Sequence, residues 1–220
     1  MNHPRNATSR GFSFIEILVV MAIIAVLVGM GVVISGMLTR RAAEVRSDAL
    51  LAKMRANADV LRGRFGAYPP SDLNRLPRVS GLPHLRIGAP TPQNVSNWGI
   101  ESLYQALRMP GFDHNPDLSD ADLSNTDEDA LDRPLSSDAT LYEVKDGWDS
   151  PLVYFVESEY ATAEKDPPVY INKHGEAVNP KPYRTASGTS FAQPNAYQIY
   201  SMGPDGQPNT EDDRLGWDAR

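Results

Sequence analysis

The chain has 220 residues, 41% of them hydrophobic and 22% charged, with a formal net charge of −7. This length suits one membrane segment plus one globular domain. The acidic excess lies after residue 66 and argues against nucleic acid as a partner of that domain. With no cysteine in the chain, disulfides, thiol catalysis and cysteine metal sites are excluded.

The first predicted element is apolar. A short polar leader holding Arg5 and Arg10 ends in the small residue Gly11, and Phe12-Ser13-Phe14-Ile15-Glu16 follows. Residues 17–39 then carry no charge over 23 positions, and about 20 residues suffice to cross a ~30 Å hydrocarbon core as a helix. A cleaved secretory signal has a shorter apolar region, about 7–15 residues, with its small-residue site on the far side. Here the run is longer and Gly11 precedes it. Glu16 stands near the head of this segment. A carboxylate inside a membrane helix costs about 2.5 kcal/mol or more at mid-helix, so it calls for a partner and a role. Arg5 and Arg10 before the span are matched by Arg40 and Arg41 after it, so charge asymmetry does not set its orientation.

No break signal separates the span from a second helical stretch. Leu50, Met54, Ala58, Leu61 and Phe65 recur at helical spacing, and Gly63, Gly66 and Pro69-Pro70 supply the stop. One long helix from about Phe12 to about Arg64 is predicted, its second half offering one face to a domain. Residues 67–139 are loop-rich, with a short helix near 99–108 that puts Ile100, Leu103, Tyr104 and Leu107 on one face. Between Asp113 and Asp132 lie eight acidic residues and no Lys or Arg, which reads as a solvated surface loop. From 140 onward, Leu141–Val144, Leu152–Val156, Val169–Ile171 and Tyr197–Tyr200 have the β-branched and aromatic character of strands. A long helix followed by short strands without intervening helices is the pattern of an α+β fold with an antiparallel sheet.

The order of leader, Gly11-Phe12, Glu16 and unbroken apolar run resembles the processing site of type IV prepilins and type II secretion pseudopilins. The resemblance implies that a prepilin peptidase cuts between Gly11 and Phe12 and that the new Phe12 nitrogen is methylated. It implies, too, that Glu16 pairs with that amine, on its own or a neighbouring subunit, during assembly. Many family members carry a proline about two-thirds along the apolar segment, where the helix loosens in the filament; this chain has Gly29, Gly31 and Gly36 instead.

Further segments resemble the major pseudopilin of type II secretion. Tyr68-Pro69 matches that family's Tyr-Pro. Asp146-Gly147-Trp148-Asp149-Ser150-Pro151-Leu152-Val153-Tyr154 is similar to its Asp-x-Trp-Gly-x-Pro-x-x-Tyr segment, with Asp149 where glycine is usual. Ser201-Met202-Gly203-Pro204-Asp205-Gly206, followed by Thr210-Glu211-Asp212-Asp213, resembles its C-terminal calcium loop. The resemblance implies calcium held by the side chains of Asp205, Asp212 and Asp213 and the carbonyl of Met202. Calcium takes 6–8 hard oxygens, and the spacing is not that of an EF-hand.

The expected organisation is a leader (1–11), a transmembrane and filament-core helix (12–39), an amphipathic helix entering a periplasmic domain (40–66), a loop-rich variable region (67–139), and a sheet with the calcium loop (140–220). The expected fold is α+β and type IV pilin-like, in a single-pass inner-membrane protein. Its expected partners are copies of itself, the prepilin peptidase, other pseudopilins and inner-membrane secretion components. No catalytic motif is present: His3, His84, His114 and His174 lack partner signals, and no HExxH or phosphate-cradling loop occurs. The chain is expected to be a structural subunit and not an enzyme. Two other readings stand beside it, a type IV pilus or minor pilin subunit, and a membrane-anchored periplasmic binding module with 71–140 as its recognition surface.

Overall fold

The computed structural model describes residues 13–78, 95–109, 116–130 and 140–217. Gly11 and Phe12, and with them the expected cleavage point, lie outside the described residues. The chain divides into two compact units, Met1–Ala42 and Ala43–Arg220.

Helix α1 runs from Phe14 to Phe65 without interruption, passing through Gly29, Gly31 and Gly36. Its first half is apolar and solvent-facing in the single chain, with Phe14 79% and Leu27 62% exposed. Side chains are described in two blocks, 13–28 and 36 onward. Among the described residues, no helix is long and apolar enough to cross a membrane. The span expected over 12–39 extends across positions outside the description.

In the second unit the α1 stripe is buried as its spacing predicts. Leu50, Met54, Ala58 and Leu61 are in the core, joined by Leu51 one position round the helix. Arg62 and Tyr68 close its end, the guanidinium lying 4.9 Å from the ring centroid. Helix α2 (Trp98–Leu107) forms where expected but is buried on every side, Glu101, Ser102 and Gln105 included. An amphipathic pattern signals one buried face; here loops and strands close over the polar face too.

The sheets are small and antiparallel. Strand β1 (Leu123–Ser124) pairs with β2 (Glu143–Val144). Strands β3 (Val153–Val156), β6 (Tyr197–Ser201) and β7 (Arg214–Leu215) form a three-stranded sheet in the order β3-β6-β7. A third pair joins β4 (Tyr170–Ile171) to β5 (Ala177–Val178). A short helix α3 (Tyr160–Lys165) follows β3. Every residue of β3 and β6 is buried, as continuous apolar or aromatic strands require when both faces are covered. The result is the α+β architecture expected of a pilin-like chain, a long N-terminal helix with short antiparallel sheets.

Candidate functional site

At the head of α1, the Ser13 N–H donates to Glu16 Oε2 at 2.8 Å, and the Ser13 carbonyl accepts from the Ile17 N–H at 3.2 Å. Glu16 thus turns back on its own helix start, as the acidic member of a capping box does. Its negative charge complements the free N–H groups of the first turn. The group it accepts from belongs to the residue directly after Phe12.

The three segments singled out beyond the N-terminus, 68–69, 146–154 and 201–213, meet in space. Tyr68-Pro69 leads out of α1, and the Tyr154 hydroxyl donates to the Pro69 carbonyl at 2.7 Å. The Tyr68 ring packs edge-on to Tyr197 of β6, with centroids 4.7 Å apart. The fully buried Asp146 is the hub of the next contact. Its Oδ1 accepts from the N–H groups of Trp148 (2.8 Å) and Ser150 (3.0 Å), and its Oδ2 accepts from the Ser201 hydroxyl. Ser201 Oγ in turn accepts from the Gly203 N–H at 3.1 Å. One carboxylate therefore ties the 146–150 turn to the start of the C-terminal loop. Burial raises the Asp146 pKa to about 6, against the lowering effect of those hydrogen bonds and of Lys173. At Asp149 the backbone has φ +70°, so the turn keeps the left-handed conformation that glycine favours. Aspartate is among the residues that tolerate it. Lys145 Nζ lies 3.0 Å from Asp149 Oδ1.

The C-terminal loop is folded on its own donors. Asp212 accepts from the Asp205 N–H (3.3 Å) and from Thr210 Oγ1 (2.6 Å). Asp213 accepts from the Asn209 N–H (2.8 Å), Thr210 Oγ1 (3.3 Å) and the Tyr183 hydroxyl. Asp205 is exposed and accepts from the Gln207 N–H at 2.8 Å, while Met202 is fully buried. Gly203 has φ +65°, and a Cβ there would run into the Asp212 backbone. The two neighbouring acids differ. Burial raises Asp213 to about 6; at Asp212 burial also acts upward, but hydrogen bonds from Thr210 and Asp205 outweigh it and the pKa falls. The donor set is oxygen only and mostly anionic, which fits calcium chemistry.

The acidic run read as a solvated loop is only partly so. Asp117, Asp120 and Glu128 are exposed, whereas Asp129 is buried and Asp127 partly so. Asp122 accepts from both the N–H and the hydroxyl of Ser119 and pairs with Arg46 at 3.1 Å. Among the described residues, the three carboxylates that bring an oxygen each within 4.8 Å of one another are Glu101, Asp127 and Asp129, not those of the C-terminal loop. No spacing in the sequence signals that grouping, because it joins a helix to a loop more than twenty residues away. Of the histidines, His174 is exposed in a turn, and the other three lie outside the described residues.

A family model described as the prokaryotic N-terminal methylation motif matches residues 6–32. No curated protein and no solved structure matches the chain. The matched segment contains Gly11, Phe12 and Glu16, so the chain carries the prepilin-type methylation motif at its N-terminus.

Proposed function

We propose that this chain is a pseudopilin of type II secretion, a structural subunit and not an enzyme. The reading rests first on the methylation motif over residues 6–32. The subunit waits in the inner membrane with its leader in the cytoplasm and its domain in the periplasm. Prepilin peptidase cuts after Gly11 and methylates Phe12. Glu16 then exchanges the Ser13 N–H for the new amine one residue away, in its own chain or a neighbour's. A buried carboxylate needs such a positive partner, and cleavage is what creates it. The exposed apolar half of α1 supports burial in lipid before assembly and against other helices after it. Other pseudopilins and inner-membrane secretion components would complete the filament.

Two features favour the secretion pseudopilin over the type IV pilus subunit. The chain has no cysteine to close a C-terminal loop, and the 146–154 and 201–213 segments are joined through Asp146 and Ser201. When calcium is bound, Asp205, Asp212, Asp213 and the Met202 carbonyl would hold it, locking the loop against the sheet edge. Produced together with a prepilin peptidase, the chain is expected to sediment as filaments. Glu16→Ala is expected to be processed yet to yield at least about a hundredfold less filament, since losing one member of a buried ion pair weakens a contact by about 3–5 kcal/mol. Wild-type chain that is processed but stays in subunit form would contradict the reading.

A further inference from the structure

Helix α2, the loop after β1 and strand β2 enclose a group of acids that the pseudopilin reading does not use. Glu101, in the first turn of α2, is 0% exposed, and neither of its carboxylate oxygens has a hydrogen-bond partner. Asp129 is 7% exposed, and its two carboxylate oxygens likewise have none. The Asp129 backbone, by contrast, is clasped on both sides. Its N–H donates to Asn125 Oδ1 at 3.1 Å, and its carbonyl accepts from Asn125 Nδ2 at 2.9 Å. Between Asp127 and Asp129, Glu128 takes φ +59°, a conformation uncommon outside glycine, asparagine and aspartate. Asp127 and Asp129 each bring a carboxylate oxygen to Glu101, all three atoms within 4.8 Å of one another.

Beside this group, Glu143 and Asn97 are satisfied by neutral donors and acceptors. Glu143 of β2 accepts from Asn97 Nδ2 (2.8 Å), the Thr126 N–H (3.0 Å) and Thr126 Oγ1 (3.0 Å). Asn97 Oδ1 accepts from the Ile171 N–H at 2.9 Å. Among the described residues, no Lys or Arg forms an ion pair with Glu101 or Asp129. The charges that act on Glu101 are those of Asp129, Asp127 and Glu143, every one a carboxylate. Buried like charges with unused lone pairs are held in a native structure only by a cation or by protons.

We propose that Glu101, Asp127 and Asp129 form a calcium site, separate from the C-terminal loop and independent of it. Oxygen-only anionic donors select a hard cation and not zinc, which favours nitrogen and sulfur. Magnesium keeps several of its waters, for which so enclosed a pocket has little room. Calcium accepts bidentate carboxylates in irregular geometry. Bound there, the ion pins the 125–129 loop to α2 and so fixes part of the loop-rich 67–139 region.

The experiment uses the full chain in detergent, stripped with a chelator and titrated with calcium chloride, reading bound calcium by equilibrium dialysis and melting temperature in parallel. Calcium at about 100 times its Kd should raise the wild-type melting temperature by roughly 5–10 °C. Glu101→Gln should bind one calcium fewer than wild type. In chelator it should melt no lower, because the neutral amide relieves the crowding of carboxylates. The double variant Asp205→Asn, Asp212→Asn should keep the ion that Glu101→Gln loses, so the outcome does not depend on whether the C-terminal loop binds metal. If Gln at 101 fails to fold, Asp129→Asn reads the same loss. Equal calcium binding by wild type and these variants would overturn the site, leaving a cluster that holds protons alone.

Discussion

Replacing Gly147 by alanine is expected to cost about 3 kcal/mol or more of the domain's stability, at or beyond the upper end of ordinary overpacking. Gly147 lies against α1, where its N–H donates to Ser47 Oγ at 2.8 Å. A Cβ on Gly147 would overlap the carbonyl oxygen, carbonyl carbon and Cα of Ala43. These are backbone atoms of a helix, with no side-chain end to swing away. The turn cannot retreat alone either, since Asp146 N–H donates to the Ser150 carbonyl at 2.7 Å and Asp146 holds Ser201. Moving the turn therefore loosens the start of the C-terminal loop as well. Gly63→Ala is the control: it sits inside α1 with nothing within 4 Å of a built Cβ, so it should be neutral or stabilising by up to about 1 kcal/mol. Urea unfolding of the two variants checks the pair. A Gly147→Ala protein as stable as wild type would show that the turn is not seated on the helix.

The second large effect is a pH dependence carried by Asp146. Its folded pKa of about 6 stands above the ordinary value because burial disfavours the charge. A raised pKa means that the folded state binds the proton more tightly than the unfolded chain does. The contribution to stability is thus fully present below pH ~4 and is lost as pH rises through about 6. The gap from the ordinary ~3.9 corresponds to about 3 kcal/mol. Asp146→Asn preserves an acceptor for the Trp148 and Ser150 N–H groups and offers a donor to Ser201, without the charge. Between pH ~4 and ~7.5, wild type should lose about 3 kcal/mol more than Asp146→Asn. Parallel stability curves would mean that Asp146 is ionised without penalty. The groups that oppose its shift are already named, Ser201, the two turn amides and Lys173.

Much of the architecture was legible because it rests on periodicity. The α1 stripe at Leu50, Met54, Ala58 and Leu61 is buried, and the four β-branched or aromatic runs contain β2, β3, β4 and β6. Strands β1, β5 and β7 are two residues each. Unlike the equally short β2 and β4, they lie in no β-branched or aromatic run, and Arg214-Leu215 is strand only because β6 offers it an edge. The carboxylate group was hidden for a different reason. An acidic run without basic residues signals solvent, and nothing local reveals that Asp127 and Asp129 turn inward while Glu128 between them turns out. Glu101 lies off the apolar face that Ile100, Leu103, Tyr104 and Leu107 make, on a side of α2 that the tertiary fold covers. The Asp146–Ser201 tie spans 55 positions in the chain, beyond the reach of any spacing rule. At Asp149 the sequence has aspartate where the resembling family usually has glycine, and the backbone there takes the left-handed conformation that glycine favours.

The central claim is that Glu16 awaits a partner which processing creates. Its most direct test is the intact mass and N-terminal peptide of the full chain, recovered from cells that contain a prepilin peptidase. The expected product begins at Phe12 and carries one methyl group on its N-terminal nitrogen. A chain that still begins at Met1 beside an active peptidase would contradict the claim and favour the anchored binding module.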